Sequence, residues 1–341
     1  MNMYSCSSFA RHPLLAIVWW FYLILAGQAH GHDMKFGVID AYEMQSGHYQ
    51  ITFRYSSTKL DLGKITLKQA LNCSAHDFTD SSVNGSEVNF RWIAQCNKSS
   101  ATEKYPIFTL YGLPKDQQIF VRVIQANGSI VEQVTKLSPI DFGVLLKSQA
   151  SNQKNVAWTS FLEFGFKHIL EGYDHLMVVL CFVLLFVRLT TALIVVSGFT
   201  LGHSLSLILA TGLGLQFPTE LVEIFIALSV TFMAREIYTS SKTSLLGQYP
   251  VMMSAMIGLL HGLGFASAIM ELGLPQEHKL IAILFFNLGV ELGQLLFVTI
   301  GILILFAVSR FAPSREKLNK MISIGIGATS VVWLIQLSSN G

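Results

Sequence analysis

The feature that most restricts this chain is a run of six apolar segments at approximately 161–187, 191–212, 219–238, 250–272, 280–308 and 320–337, separated by short polar breaks. Each is long enough to cross about 30 Å of hydrocarbon. A lipid-facing backbone has to satisfy its own N–H and C=O groups, so each segment is expected to be a helix. The composition agrees: 52% of the 341 residues are hydrophobic and 13% are charged, where an ordinary soluble domain carries roughly 25% charge. The expected fold class is an α-helical polytopic membrane domain of six transmembrane helices, preceded by a small all-β exported domain.

Three regions follow from the patterning. Residues 1–29 carry Arg11, an apolar stretch from Leu14 to Ala26 and the small-residue end Gly27-Gln28-Ala29, which are the parts of a secretory signal peptide. Residues 30–150 form the exported, periplasmic domain, and 158–337 the membrane domain. Within the former, KFGVIDAY, HYQITFRYSS, SEVNFRWIAQC, PIFTLYGL and QQIFVRVIQ alternate with period two, and Asn-Gly pairs begin at Asn84 and Asn127. Antiparallel strands and hairpins are expected, packed as a β-sandwich. Cys73 and Cys96 are its only cysteines, so an exported domain predicts one disulfide between them. Cleavage after Ala29 would begin the mature chain at His30-Gly31-His32, whose amine, amides and third-position imidazole suit square-planar Cu(II) or Ni(II).

Loop charges give an orientation. Arg188, Arg235, Lys242, Arg310, Arg315, Lys317 and Lys320 lie in or beside one set of loops, whereas the opposite set offers Lys279 alone. Positive residues stay inside, which places the β-domain and the C-terminus outside.

Ionisable groups within spans are costly, at roughly 2.5 to 3.5 kcal/mol on insertion scales, and mark function. The first segment holds His168, Asp174 and His175 in HILEGYDH, the second His203, the fourth His261, and the fifth Asn287, Glu291 and Gln294. His168 and His175 are seven residues apart and so share a helix face; Asn287, Glu291 and Gln294 share another. Depth, taken at roughly 1.5 Å per residue, brings His175, His203, His261 and Glu291 to a similar level. Imidazole with carboxylate suits divalent Ni, Co, Cu or Zn, and Asp174 or Glu291 can orient a ligating imidazole from behind. His168 is expected nearest the outer interface, where it would receive the ion. Glu223 is a further candidate ligand, and Glu220 a helix cap. Arg235 and Glu236 are expected to snorkel at the inner boundary. Gly202, Gly262, Gly264, Gly289 and Gly293 flank the polar positions and allow close helix packing.

HILEGYDH, FTLGHSLSL, HGLGFA and NLGVELGQ resemble the HupE/UreJ family of membrane proteins, in its longer subgroup with an exported N-terminal domain. The His-x5-Asp-His pattern is that family's hallmark, matched here by His168, Asp174 and His175. The resemblance covers about 160–337 and implies a bacterial inner-membrane protein whose hydrogenase- and urease-linked relatives are regarded as nickel permeases. Those relatives carry a second, His-rich signature along the lines of FHGxAHGxE; the nearest stretch here, FFNLGVELGQ, has Asn287 where a His is expected, and HGLGFA at His261 stands as the alternative.

The expected function is therefore transport of a divalent transition metal, with the lipid bilayer and the ion as partners and a periplasmic metal or protein open to the β-domain. Nucleic acid is excluded by a net charge of +2 without a basic, aromatic-interleaved stripe, and ATP hydrolysis by the lack of a G-x-x-x-x-G-K-[ST] loop. Two other readings are an intramembrane metal-dependent enzyme, in which an open metal position activates water, and a metal-sensing or assembly protein. Ser204 beside His203 makes a poor nucleophile–base pair, because neighbours on a helix diverge by about 100°.

Overall fold

A computed structural model describes residues 37–45, 48–56, 66–69, 73–84, 87–96, 108–111, 119–124, 126, 130–135, 140–141, 158–215, 217–239, 245–272, 279–310 and 314–340. The signal segment, His30 and His32 lie outside the described residues. Asp33–Ser160 form one compact unit and Phe161–Gly341 belong to another.

The first unit has nine described strands: β1 (Gly37–Gln45), β2 (His48–Ser56), β3 (Thr66–Gln69), β4 (Cys73–Asn84), β5 (Glu87–Cys96), β6 (Phe108–Tyr111), β7 (Ile119–Ile124), β8 (Ile130–Thr135) and β9 (Ile140–Asp141). They build a six-stranded sheet in the order β4-β5-β2-β1-β7-β8 and a three-stranded sheet β3-β6-β9. Both Asn-Gly sites lie at antiparallel hairpins, β4 to β5 and β7 to β8. The purely antiparallel expectation fails at the centre, where β1 pairs with β7 in parallel. On one face Ile39, Phe53, Phe90 and Val121 form a buried row, with Phe90 stacked on Trp92 at 5.6 Å. On the other face Asp40 is buried with Arg54 at 2.7 Å and Arg122 at 3.6 Å. Cys73 and Cys96 stand directly opposite each other in the β4–β5 register.

The second unit is helical: α1 (Trp158–Glu171), α2 (Tyr173–Leu185), α3 (Leu189–Leu213), α4 (Thr219–Thr239), α5 (Leu245–Gln248), α6 (Pro250–Leu272), α7 (Lys279–Ser309) and α8 (Arg315–Asn340). All six expected segments fold as helix. Three of the helices, α3, α7 and α8, are long and apolar enough by themselves to cross a membrane, and the pair α1–α2 makes a fourth if counted as one span. The first segment departs from expectation: it breaks at Gly172, and its halves are bent by 73°. α4 is helical, but Glu220, Glu223, Arg235 and Glu236 make it too charged to rank with the three. At its far end Arg235 is exposed, as snorkelling requires, yet the Glu236 carboxylate that it contacts at 3.2 Å is buried.

Polarity in this unit is inverted relative to a water-soluble bundle. On α7 the residues Leu280, Leu284, Leu288, Leu292 and Leu296 recur every fourth position on the exposed side, while Asn287 and Gln294 are buried. On α3 Leu201 is 70% exposed and His203 is 0% exposed. Apolar side chains outward and polar ones inward are what a lipid solvent selects, because the histidines find partners only within the bundle. The unit is thus a multi-pass membrane protein.

The helices approach through glycine. α3 and α6 form the most extensive helix pair, and a Cβ at Gly202 or Gly258 would run into the backbone carbonyl of Ala255 or Phe199 respectively. At the α1–α7 crossing a Cβ on Gly165 or Gly289 would meet the carbonyl of Phe286 or Leu162. Small residues at these crossings let backbones touch where the hydrophobic effect supplies no attraction between helices. Gly212, also on α3, has nothing within 4 Å of its would-be Cβ. Gly202→Ala is therefore expected to lower the melting temperature of the purified protein by several degrees, whereas Gly212→Ala leaves it unchanged or raises it, since Ala is the better helix former by about 1 kcal/mol; a thermal melt of both variants in detergent checks the contrast.

Candidate metal centre

The α1–α2 break is the local event that builds the site. Residues seven apart on a straight helix lie about 10 Å apart along its axis. His168 in the last turn of α1 and His175 in the first turn of α2 instead have ring centroids 4.6 Å apart. The fold brings them together by bending, not by a shared helix face. Gly172 at the corner is required by close approach: a Cβ there would sit 2.8 Å from the His168 carbonyl oxygen and 2.9 Å from His175 Nδ1. The chain keeps its ladder across the corner, with Gly172 N donating to His168 O and Leu176 N to Gly172 O, both at 3.0 Å.

Two more imidazoles arrive from the middle of α3 and α6. His203 lies 5.9 Å from the rings of both His168 and His175, and His261 lies 4.9 Å from His175. All four are buried, with exposures of 0 or 1%. One nitrogen each from His168, His175 and His203 can be chosen so that all three lie within 4.8 Å of one another. A metal at about 2.1 Å from each nitrogen needs ligand separations of about 3 to 4 Å, so closing on an ion takes a contraction of about 1 Å.

The hydrogen bonds define which nitrogen is available. His175 Nδ1 is 3.0 Å from Asp174 Oδ1, and His261 Nδ1 is 2.9 Å from the carbonyl oxygen of Ile257. The Ile257 carbonyl only accepts, as does Asp174 as a carboxylate, so with Asp174 ionised each Nδ1 carries the proton. Asn287 Nδ2 donates to Ile283 O at 2.9 Å, which turns its Oδ1 toward His203 Nδ1 at 3.2 Å; this ring too is an Nδ1–H tautomer. In all three the lone pair is then on Nε2, the form in which imidazole ligates a metal. Asp174 behind His175 makes the carboxylate–histidine arrangement that fixes a ligand's tautomer and raises its basicity. Around the cluster Phe265 packs 4.3 Å from His168 and 4.9 Å from Phe286, and Phe199 lies 5.1 Å from His261. The cluster is buried from bulk solvent, so each charge or dipole acts in a low-dielectric surrounding.

The site residues expected from sequence are thus distributed as follows. His168, His175 and His203 form the converging trio, with His261 against it. His168, expected nearest the outer interface, is 1% exposed and lies inside the cluster, where the 73° corner sets the last turn of α1 beside the first turn of α2. Asp174 and Asn287 stand behind ring nitrogens. Glu291 instead accepts from Ser197 Oγ, and Glu223 on α4 is partly buried outside the trio. Ser204 Oγ donates to Thr200 O at 2.7 Å on its own helix, as the divergence of neighbouring residues requires. The aromatic wall of Phe199, Phe265 and Phe286 and the hydroxyls of Ser197 and Thr200 were missed; the hydroxyls carried a signal, since they precede His203 by six and three residues.

A multi-pass helical membrane protein with a buried imidazole cluster is the class defined by fold and site. Residues 146–337 match the family described as HupE / UreJ protein, and the chain belongs to that family. No curated protein and no solved structure matches the chain.

If Asn287 sets the His203 tautomer, Asn287→Leu should cost about 10 to 100-fold in affinity for a bound divalent metal, as loss of an outer-shell partner commonly does, while leaving helix content unchanged. Metal titration and circular dichroism on the same sample measure the two.

Proposed function

We propose that the protein binds a divalent transition metal ion at the His168, His175 and His203 trio, with His261 beside it, and passes the ion across a bacterial inner membrane. The observation that carries this reading is the approach of three imidazole nitrogens to within 4.8 Å inside a water-excluding bundle. Nitrogen donors of this type suit Ni, Co, Cu and Zn over Mg or Ca, and membership of the HupE / UreJ family, with its nickel-linked relatives, puts nickel and cobalt first. Asp174 and Asn287 orient rings and the phenylalanines keep water out. The ion is cargo here, held by the imidazoles in transit.

This reading includes six spans, with α4 and α6 crossing alongside the rest, a cleaved signal and a periplasmic β-domain. The clustering of Arg188, Arg310, Arg315, Lys317 and Lys320 supports that orientation. In the oxidising periplasm, Cys73 and Cys96 would join as a disulfide. Their direct opposition in the register supports it, because facing residues of an antiparallel pair have Cα atoms about 4.5 to 5.5 Å apart, inside the disulfide range. Protein purified from membranes without reductant should leave both thiols unreactive to a maleimide until reduced, and immediate labelling of Cys73 and Cys96 would refute the bridge.

Elemental analysis of the purified protein tests the metal reading. Stoichiometric Ni, Co, Cu or Zn in the wild type, lost in His175→Ala and reduced in His261→Ala, is expected, followed by saturable flux of that ion into proteoliposomes. A wild type that binds none of the four ions overturns it. Stoichiometric metal without flux moves the reading to an intramembrane metalloenzyme or a metal sensor.

A further inference from the structure

The polar line does not end at the histidines. Toward the ends that carry Arg188 and Arg310, Thr200 Oγ1 on α3 donates to Gln294 Oε1 on α7 at 2.9 Å, and Ser197 Oγ donates to Glu291 Oε1. Ser197 is six residues from His203, or about 9 Å along the helix, and Gln294 is seven from Asn287, or about 10 Å. This second group of side chains is therefore one to two turns away from the imidazoles, on the side facing the basic ends.

Two of its atoms are out of balance. Gln294 is 0% exposed, and its Nε2 makes no hydrogen bond; Glu291 Oε2 is likewise buried without one. A buried amide or carboxylate atom left in that state costs on the order of 1 to 3 kcal/mol, and more when charged. Natural structures keep few such atoms, and those that persist commonly await a water or an ion; of the two, Glu291 Oε2 is the acceptor that a cation can take, while Gln294 Nε2 is a donor and calls for an acceptor such as water or the neighbouring carboxylate. Here a carboxylate and a carboxamide stand one turn apart on α7, facing two hydroxyls of α3. The donors offered are a carboxylate, an amide carbonyl oxygen and two hydroxyl oxygens, with no nitrogen ligand among them.

We propose that Glu291, Gln294, Ser197 and Thr200 form a second cation station, oxygen-lined and distinct from the histidine centre, which a divalent ion occupies between that centre and the basic ends. The proposal rests on the reading of the histidine cluster as a metal centre. Its chemistry supplies what that reading lacks. Imidazole holds a borderline ion tightly, whereas an oxygen set favours hard ions and holds nickel or cobalt less well. A step down in affinity lets a site that captures an ion also release it, the condition for conduction through adjacent sites.

The two stations are separable by choice of probe. Full-length protein in lipid nanodiscs is titrated with Mn2+, followed by electron paramagnetic resonance, and separately with Co2+, followed by visible absorption. One saturable Mn2+ site is expected, weakened about tenfold or more in Glu291→Gln because ligand charge governs affinity at oxygen sites. The Co2+ band persists in that variant. His203→Ala is expected to do the reverse, losing the Co2+ band and keeping Mn2+. Gln294→Leu provides a second variant with the same expected outcome as Glu291→Gln, should the latter fail to fold. No saturable Mn2+ in the wild type, Mn2+ binding untouched by Glu291→Gln and Gln294→Leu, or joint loss of both ions in each variant overturns the second station; buried water then accounts for the two atoms. If Co2+ does not bind the wild type but Mn2+ behaves as expected, the histidine centre fails and the oxygen station stands.

Discussion

An imidazole in hydrocarbon has one N–H that it cannot leave unsatisfied, and the helical unit is organised around giving that N–H a partner. Three different acceptors do so: a carboxylate for His175, a main-chain carbonyl for His261 and a side-chain amide for His203. The partners differ but the result is one tautomer, with the lone pair on Nε2. A membrane interior makes this choice firm, since no water competes for the N–H and an unsatisfied donor there costs several kcal/mol. The orientation of each ring is therefore set by a residue outside the imidazole cluster.

Convergence of the rings depends in turn on backbone proximity. The centre draws on α1, α2, α3 and α6, with α7 supplying Asn287, and those helices meet where glycines remove the Cβ. Gly262 packs against the backbone of His203, and Gly172 against both His168 and the His175 ring. A side chain at either position would displace a histidine, so the glycines act on the cluster through distance. The 73° corner adds a second device, placing the C-terminal turn of α1 and the N-terminal turn of α2 at one spot. Asp174 in the first turn of α2 also stands where the helix dipole favours a carboxylate.

Much of this was legible in the sequence. The apolar segments gave the helices, because hydrocarbon imposes both length and composition on a crossing element. Strands β2 and β5 were readable because one face is buried and period two records it, whereas β1 and β7, buried on both faces in the described residues, were readable from their β-branched and aromatic residues. β4 escaped detection because CSAHDFTDSSVN at the edge of the sheet has no apolar alternation to read, and the parallel β1–β7 pairing is a choice between distant segments that no local pattern encodes. The histidines were identifiable as costly residues at similar depth. Their geometry was not, because spacing of seven predicts a shared face on an unbroken helix and is silent about a corner. Glu291 illustrates the other failure. Its place in an i, i+4, i+7 stripe was correct, yet depth along α7 cannot say whether a side chain meets His203 or Ser197, since that depends on how α3 crosses.

The polar interior of the bundle is flanked by strongly apolar helix halves. On the side of the basic ends, Val183, Val195, Val196, Val298, Leu305 and Ile326 belong to one buried apolar cluster; on the other side of the histidines Phe265 stacks on Phe286. The imidazole cluster is thereby flanked by apolar packing on two sides. Packed apolar cores are bistable, not continuously deformable, so the passage proposed above would require one layer to part while the other stays shut. α3 and α7 are the elements placed to do this. They hold the hydroxyl, amide and carboxylate groups between the histidines and the valines, and Ser197 and Thr200 tie them to each other by side-chain hydrogen bonds, which break and reform at lower cost than a glycine-lined backbone crossing such as α3 with α6. On the reading proposed above, the glycine-packed α3–α6 pair would move as one body and α7 would shift against it.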